Sequence, residues 1–224
     1  MIERFIDLWD KFGGELLKAS LETLDMMSTA LFMALLIGLT LGFVLFLSGS
    51  SGIRPSPLLY GILSGLINLI RSVPFILLII VMIPFNRLLI GTGFGVDASK
   101  VPLSIIGIAL YARFTEQSLL DVDKSIYETS YTLGASLWQY FRHFLLTEAR
   151  SGLILSFTTT AISLLSYSTV MGVIGGGGLG YLAMSQGYQN FHYDLMWLII
   201  IGLVVLVQLI QVSGNLLAKR FDRR

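Results

Sequence analysis

Few side chains in this sequence could do chemistry, and most of them sit in apolar surroundings. Arg71 lies in the string Asn68-Leu-Ile-Arg71-Ser-Val-Pro74-Phe75, inside a stretch from about Leu58 to Pro84 with no other charge. An arginine at the centre of a membrane helix costs about 2.5–3.5 kcal/mol on insertion scales, so it usually turns toward protein or a water-filled cavity. Pro74 removes a backbone hydrogen bond, kinks the helix and frees a carbonyl nearby. Two readings are open: Arg71 lines or gates a polar pathway, or it pairs internally or snorkels and only orients the helix. Downstream, Ser156, Thr159, Thr160, Ser163, Tyr167 and Ser168 form a polar stripe, with 156, 160, 163 and 167 on one helical face. Such residues let helices pack closely and hydrogen-bond across the seam, or they line a path for a polar solute. Met171 and the run Gly172-Val-Ile-Gly175-Gly-Gly-Gly178-Leu-Gly180 follow. Without side chains this run cannot hold a regular helix, and it predicts a bend or re-entrant loop buried in protein. The pathway and gate candidates are Arg71, Pro74, Ser156, Thr160, Ser163, Tyr167, Met171, Gly175 and Gly178.

Much chemistry is excluded. No G-x-x-x-x-G-K-[ST] phosphate loop occurs, and the glycine run follows a helix rather than a strand, so it does not read as a phosphate cradle. With two histidines, His143 and His192, and no H-E-x-x-H, there is no case for a hydrolytic zinc site. No serine, histidine and acid are spaced as a nucleophile motif. The chain reads as non-catalytic, with no metal and no cofactor of its own. Cysteine is absent, which excludes disulfide and thiolate chemistry. Arg113 and Glu116 could pair at three-residue spacing, but a solvated helix end is the favoured reading.

The elements that must position these groups are membrane helices. Hydrophobic residues make up 54% of the 224 and charged residues 13%, against about 25% charged in a soluble domain. A net charge of +1 is too balanced to argue for nucleic acid. Spans need roughly 20 apolar residues, and five stretches qualify, at about 26–48, 58–84, 101–120, 152–174 and 195–217. Residues 1–22 place Ile2, Phe5, Ile6, Trp9 and Phe12 at helical spacing until Gly13-Gly14 interrupts, which predicts a segment lying on the membrane surface or a partly ordered tail. Residues 23–224 form the transmembrane domain. Grouping the C-terminus with the 49–57 and 121–150 loops collects Arg54, Lys124, Arg142, Arg150, Lys219, Arg220, Arg223 and Arg224, against five basic residues on the other side. The positive-inside rule then puts the C-terminus and the 124–150 loop in the cytoplasm and the N-terminus outside.

That loop, KSIYETSYTLGASLWQYFRHFLLTEAR, is too polar for lipid. Ser125 to Glu128 and Ser136 to Gln139 both read as capping boxes, with Gly134 between them free to take the left-handed conformation that ends the first helix. Leu137, Trp138, Tyr140, Phe141, Phe144 and Leu145 then follow a 3.6-residue period, an apolar face that calls for a separate soluble partner.

The loop resembles the EAA loop of bacterial ABC-importer permeases. Glu128-Thr-Ser, Gly134 three residues on, and Phe144-Leu-Leu146-Thr147 after nine more keep that spacing. Glu128, Gly134 and Leu146 match the family pattern, whereas Thr129 and Ser130 replace its alanines, Phe144 its isoleucine and Thr147 its proline. The Arg-Ser-x-Pro-Phe string at 71–75, the Gly-Gly-Leu-Gly run and Gly187-Tyr188 resemble the methionine-importer branch. The resemblance implies an all-α membrane protein of the type I importer permease fold, five transmembrane helices with a cytoplasmic coupling-helix pair. It also implies a homodimer, two copies of a separate ATPase that binds ATP and Mg, and an extracytoplasmic substrate-binding protein. The residues it assigns to ATPase coupling are Glu128, Tyr131, Gly134, Ala135, Trp138, Tyr140, Phe141 and Leu146. A two-fold axis is physically reasonable, because five spans enclose little by themselves. The alternatives are an ion-coupled secondary transporter or channel subunit, or a membrane scaffold. An odd span number and the lack of a visible internal repeat weigh against the first.

Overall fold

The computed structural model describes residues 2–50, 52–123 and 125–222. Lys124, Arg223 and Arg224, three of the basic residues used to orient the chain, lie outside the described residues, as do the side chains of Ile2, Phe5 and Ile6. Every element among the described residues is helical, as the composition predicts.

The first helix, α1 (Ile2–Met33), passes through a π-helical turn (Ala34–Gly38) into α2 (Leu39–Ser48). The interruption expected at Gly13-Gly14 is absent, and the helix runs unbroken from Ile2 through Met33. Each glycine weakens a helix by about 1 kcal/mol, but tertiary packing outweighs this: Phe12 and Ala19 are buried against Leu182, Leu195 and Ile199. Further along, Gly38 and Gly42 let α2 lie directly on its neighbour α5 (Val96–Leu120). A Cβ on Gly42 would fall 2.4 Å from the Thr115 Cβ and 2.6 Å from the Ala112 carbonyl oxygen. This is small-residue packing at four-residue spacing.

The span expected over 58–84 is not one kinked helix. It is two, α3 (Pro57–Ser72) and α4 (Phe75–Ile90), set at 106°. Pro74 has no N–H to give and drives Val73 out of the helical region, to ψ 125°. Its carbonyl then starts the next helix by accepting the Leu77 and Leu78 N–H groups at 2.8 and 3.1 Å.

At the centre stands α5, onto which α1, α2, α3, α4 and α8 (Leu146–Val173) all pack. It carries Asp97, Lys100, Arg113 and Glu116, and other helices surround it. Met26, Phe75, Ile79, Leu103, Ile106 and Leu164 form the main core there. Among the described residues three helices are long and apolar enough to cross a membrane, Asp7–Ser48, Leu137–Val173 and Tyr193–Phe221 (the last is α10), with a fourth if the bent pair counts as one span. After α8 come the short α9 (Gly178–Leu182) and a π-helical stretch (Ala183–Gln189) that turn back before α10.

Candidate functional site

The loop between α5 and α8 folds as its local chemistry dictates, with one exception. Helix α6 (Ser125–Thr132) is not capped by the expected Ser125–Glu128 box. The Asp123 carboxylate accepts the Ser125 N–H at 2.8 Å and the Asp123 carbonyl accepts that of Ile126 at 3.1 Å. The Ser125 N–H holds the Asp123 carboxyl below its ordinary range. At the other end Gly134 is left-handed, φ +71°. Ala135 donates to the Ser130 carbonyl and Gly134 to that of Tyr131, both at 3.0 Å, the paired bonds of a Schellman stop. The second box is present in full. Gln139 donates its N–H to the Ser136 hydroxyl, and the Gln139 side chain accepts the Ser136 N–H at 2.8 Å.

From there α7 (Leu137–Gln139) runs through a π-helical turn (Tyr140–Leu145) into α8 as one 37-residue helix, Leu137–Val173. The helix that carries the span expected at 152–174 therefore begins at Leu137. Thr147 keeps the backbone N–H that a proline would lack, and the helix carries straight through.

The apolar face of the loop is split. Tyr131 is 74% exposed and Trp138 70%, with Leu133 and Glu128 also open to solvent. Tyr140, expected among the anchors for a partner, is only 5% exposed. Its ring stands edge-on to Tyr127, and with Leu145 it closes a core over Phe46, Leu119, Val122 and Leu153. Phe141 is half-buried, edge-on to Phe43 of α2, and Leu146 is half-buried beside the same core. A cavity of about 340 Å³ lies under α6, between Leu119, Asp123, Tyr127 and Tyr140.

Arg71 occupies the last turn of α3, exposed, two residues before Val73. It makes no hydrogen bond or ion pair with the described residues, so the internal-pairing reading fails. Pro74 is exposed beside it. The hydroxyl stripe of α8 is largely consumed within the fold. Thr160 is fully buried and donates to the Ser156 carbonyl at 2.8 Å, while Ser163 donates to that of Thr159 at 2.9 Å. The Ser156 hydroxyl pairs with that of Ser118 on α5 at 2.9 Å. Tyr167 lies on Phe75, ring centres 4.5 Å apart, and Met171 is buried in the main core. These contacts are those of a packing seam.

The glycine run is a buried bend. Gly175, Gly177 and Gly178 have φ near +80°. Gly95 donates to the Gly175 carbonyl and the Ser99 hydroxyl to that of Gly176, both at 3.1 Å. From α1, Glu22 accepts the Gly178 N–H at 2.8 Å and Thr23 that of Leu179 at 2.9 Å. Lys100 bridges Asp25 and Asp97 at 2.7 and 2.8 Å, tying α1 to α5 beside it. Sequence reasoning missed Glu22, Thr23, Ser99 and Lys100. The available signal was the string Glu22-Thr-Leu-Asp25 opening an apolar run opposite a loop rich in bare N–H groups.

It also read Arg113 and Glu116 as a solvated helix end, which the structure corrects. Their side chains are 13% and 4% exposed and meet at 2.5 Å. The other Arg113 nitrogen donates to Ser64 at 2.7 Å and to Asn68 at 2.8 Å, both on α3.

With this geometry in place the relatives are informative. Residues 34–224 match the family described as binding-protein-dependent transport system inner membrane component. The chain is 39% identical over 217 residues to the probable D-methionine transport system permease protein MetI of Pasteurella multocida, covering 97% of this chain and 98% of that one. It is 35% identical over 182 residues to the methionine import system permease protein MetP of Bacillus subtilis, covering 81% and 82%. A solved structure of the MetNI methionine ABC transporter in an inward-facing conformation superposes with a TM-score of 0.89 at 36% identity, covering 93% of this chain and 96% of that one. An amino acid ABC transporter solved with histidines shares the fold, with a TM-score of 0.77 at 19% identity.

Proposed function

Because the chain belongs to the family of binding-protein-dependent transport system inner membrane components, and is an ABC-importer permease on that ground, we propose that it carries methionine as a homodimer driven by a separate ATPase gripping the 124–150 loop. The protein is a multi-pass membrane subunit and not itself the ATPase. Family membership displaces the ion-gradient alternative.

One observation carries the coupling proposal. Tyr131, Leu133 and Trp138 are the most exposed apolar side chains of a loop whose Tyr140 and Leu145 are buried in the chain's own core. Exposed aromatics on a rigid, capped turn are the residues that anchor interfaces. The mount of Trp138 is stiff, since it sits on the same unbroken helix as the α8 seam. A displacement of the loop therefore passes into the span with no joint between them. Glu128 and the Gly134-Ala135 turn set the direction of the ridge. Two such loops around a two-fold axis would meet two ATPases, with ATP and Mg bound on their side.

The loop and the C-terminus face the cytoplasm in this reading. The glycine bend faces the outer side, where a substrate-binding protein delivers its load. Arg71 at the broken tip and the exposed Thr159 and half-exposed Ser163 are what remain to meet a zwitterionic amino acid along the pathway.

The test is co-purification of the permease with the ATPase, together with methionine uptake by the reconstituted complex. Trp138→Ala combined with Tyr131→Ala is expected to weaken ATPase binding by about thirtyfold or more, as loss of a 2 kcal/mol hot spot would, and to leave the permease inserted and folded. Full retention of the ATPase with normal uptake would refute the coupling surface.

A further inference from the structure

We propose that Arg113 is a positioning residue of the transport pathway: held by Glu116, its guanidinium clasps α3 to α5 so that the two shift as one body and carry Arg71 at their tip. This rests on the importer reading above.

A guanidinium presents five donors in a fixed plane, so it fixes direction as well as distance. Here one nitrogen is spent on Glu116 and the other on Ser64 and Asn68. Ser64 and Asn68 are four residues apart, on one face of α3. Ile67 packs alongside against α2 and α5, with Tyr60, Leu63 and Ile70 partly buried beside it, and the guanidinium adds a directional polar contact to that apolar one. Asn68 is one turn before Arg71, and the helix ends at Ser72. Whatever sets the rotation of Asn68 about the α3 axis therefore sets that of Arg71.

The other half of the broken span is fastened differently. Phe75, Leu78 and Ile79 are buried in the main core, and the Asn86 side chain donates to the Ala98 carbonyl at 2.9 Å. Both halves are thus tied to α5, and between them Arg71, Ser72 and Pro74 are exposed. Bending is confined to Val73-Pro74. Glu116 has its own part in this. An unpaired buried cation would be strongly destabilising, and the carboxylate lets Arg113 sit inside with no net charge. Arg71 is left as the uncompensated cation next to the break.

The chain has no cysteine, so single labels can be placed cleanly. Spin labels at exposed Leu59 on α3 and Gln117 on α5 report their separation in the complex with its ATPase, with and without ATP. Uptake of radiolabelled methionine per ATP hydrolysed is measured in parallel. Two variants separate clasp from ion pair. Ser64→Ala with Asn68→Leu removes the acceptors on α3 and leaves Arg113–Glu116 intact. The exchanged pair, Arg113→Glu with Glu116→Arg, keeps the ion pair and its neutrality but moves the fork three residues, about 4.5 Å along α5. The unaltered protein should give one narrow separation that does not change with nucleotide. Both variants should broaden it and lower uptake per ATP at least tenfold, with recovery of the assembled complex unchanged. Unchanged uptake per ATP in either variant overturns the proposal, as does a separation in the unaltered protein that changes with nucleotide. Loss of the assembled complex in the Ser64/Asn68 variant also overturns it, since the contact would then serve assembly only. If the unaltered protein neither holds an ATPase nor takes up methionine, the importer reading fails first.

Discussion

Substituting valine for Gly134 tests the 124–150 loop with little ambiguity, because the cost is purely one of backbone conformation. A side chain added at this position would meet nothing within 4 Å. The backbone, however, sits at φ +71°, where an L-residue pays about 1–2 kcal/mol and a β-branched one is a genuine outlier. Helix α6 has little reserve to absorb that. It is eight residues long, too short to persist alone, and Ser130 is its only fully buried residue. A loss of 1–2 kcal/mol is a factor of about 5–30 in the population of the closed turn. The two Schellman bonds, Ala135 to Ser130 and Gly134 to Tyr131, would open by that factor. Hydrogen exchange over residues 130–135 in detergent reads it directly, and ATPase co-purification and methionine uptake read its consequence. Gly134→Val should exchange faster by 5–30-fold and lose coupling, yet insert normally. Gly134→Asn should stay close to the native protein, since asparagine tolerates the left-handed region. Equal behaviour of the two variants, or full protection and uptake with valine, would refute the argument.

Gly42→Val should cost about 1–3 kcal/mol by overpacking against Thr115 and Ala112, lowering the melting temperature by several degrees. Gly61→Ala, where nothing lies within 4 Å, should not. Asp123 caps α6 with a carboxyl held below its ordinary range by the Ser125 N–H. Its contribution is therefore complete above about pH 4 and is lost as pH falls through the lowered value; the mobility of a label at Thr129 should rise there, and already at neutral pH in Asp123→Ala.

What could be read in advance followed from neighbours in sequence. The cap at Ser136, the left-handed Gly134 and the buried glycine bend are each decided within a few residues, by which backbone groups lack partners and which conformations a Cβ forbids. What could not be read depended on distant partners. Gly13-Gly14 weakens a helix locally, but Leu182, Leu195 and Ile199 lie more than 150 residues away and restore it. A 3.6-residue apolar period at 137–145 says that a face is covered without saying by what. Two of its six residues, Tyr140 and Leu145, turn out to be buried by this chain itself, and Phe141 and Phe144 partly so. Pro74 announced a disturbance, but the 106° angle needed both halves of the span to find separate seats on α5. Arg113 and Glu116 look like a helix end until Ser64 and Asn68 are brought alongside.

The same contrast bears on how a stroke could travel. From Leu137 to Val173 the helix has a widened turn and no break, so motion imposed on the exposed ridge at Trp138 reaches the α8 seam intact. That seam is hydrogen-bonded to α5 through Ser156 and Ser118, and α5 holds α3 through Arg113. Rigid contacts therefore run from Trp138 to Asn68, and the first compliant point along them is Val73-Pro74. Under the proposed coupling, strain delivered at the loop would be released where the backbone is already out of helical register, which is where Arg71 stands without a partner among the described residues. Straightening the joint, by Pro74→Ala, should therefore leave ATPase binding at the loop intact while removing the place at which its work is converted into movement of the pathway.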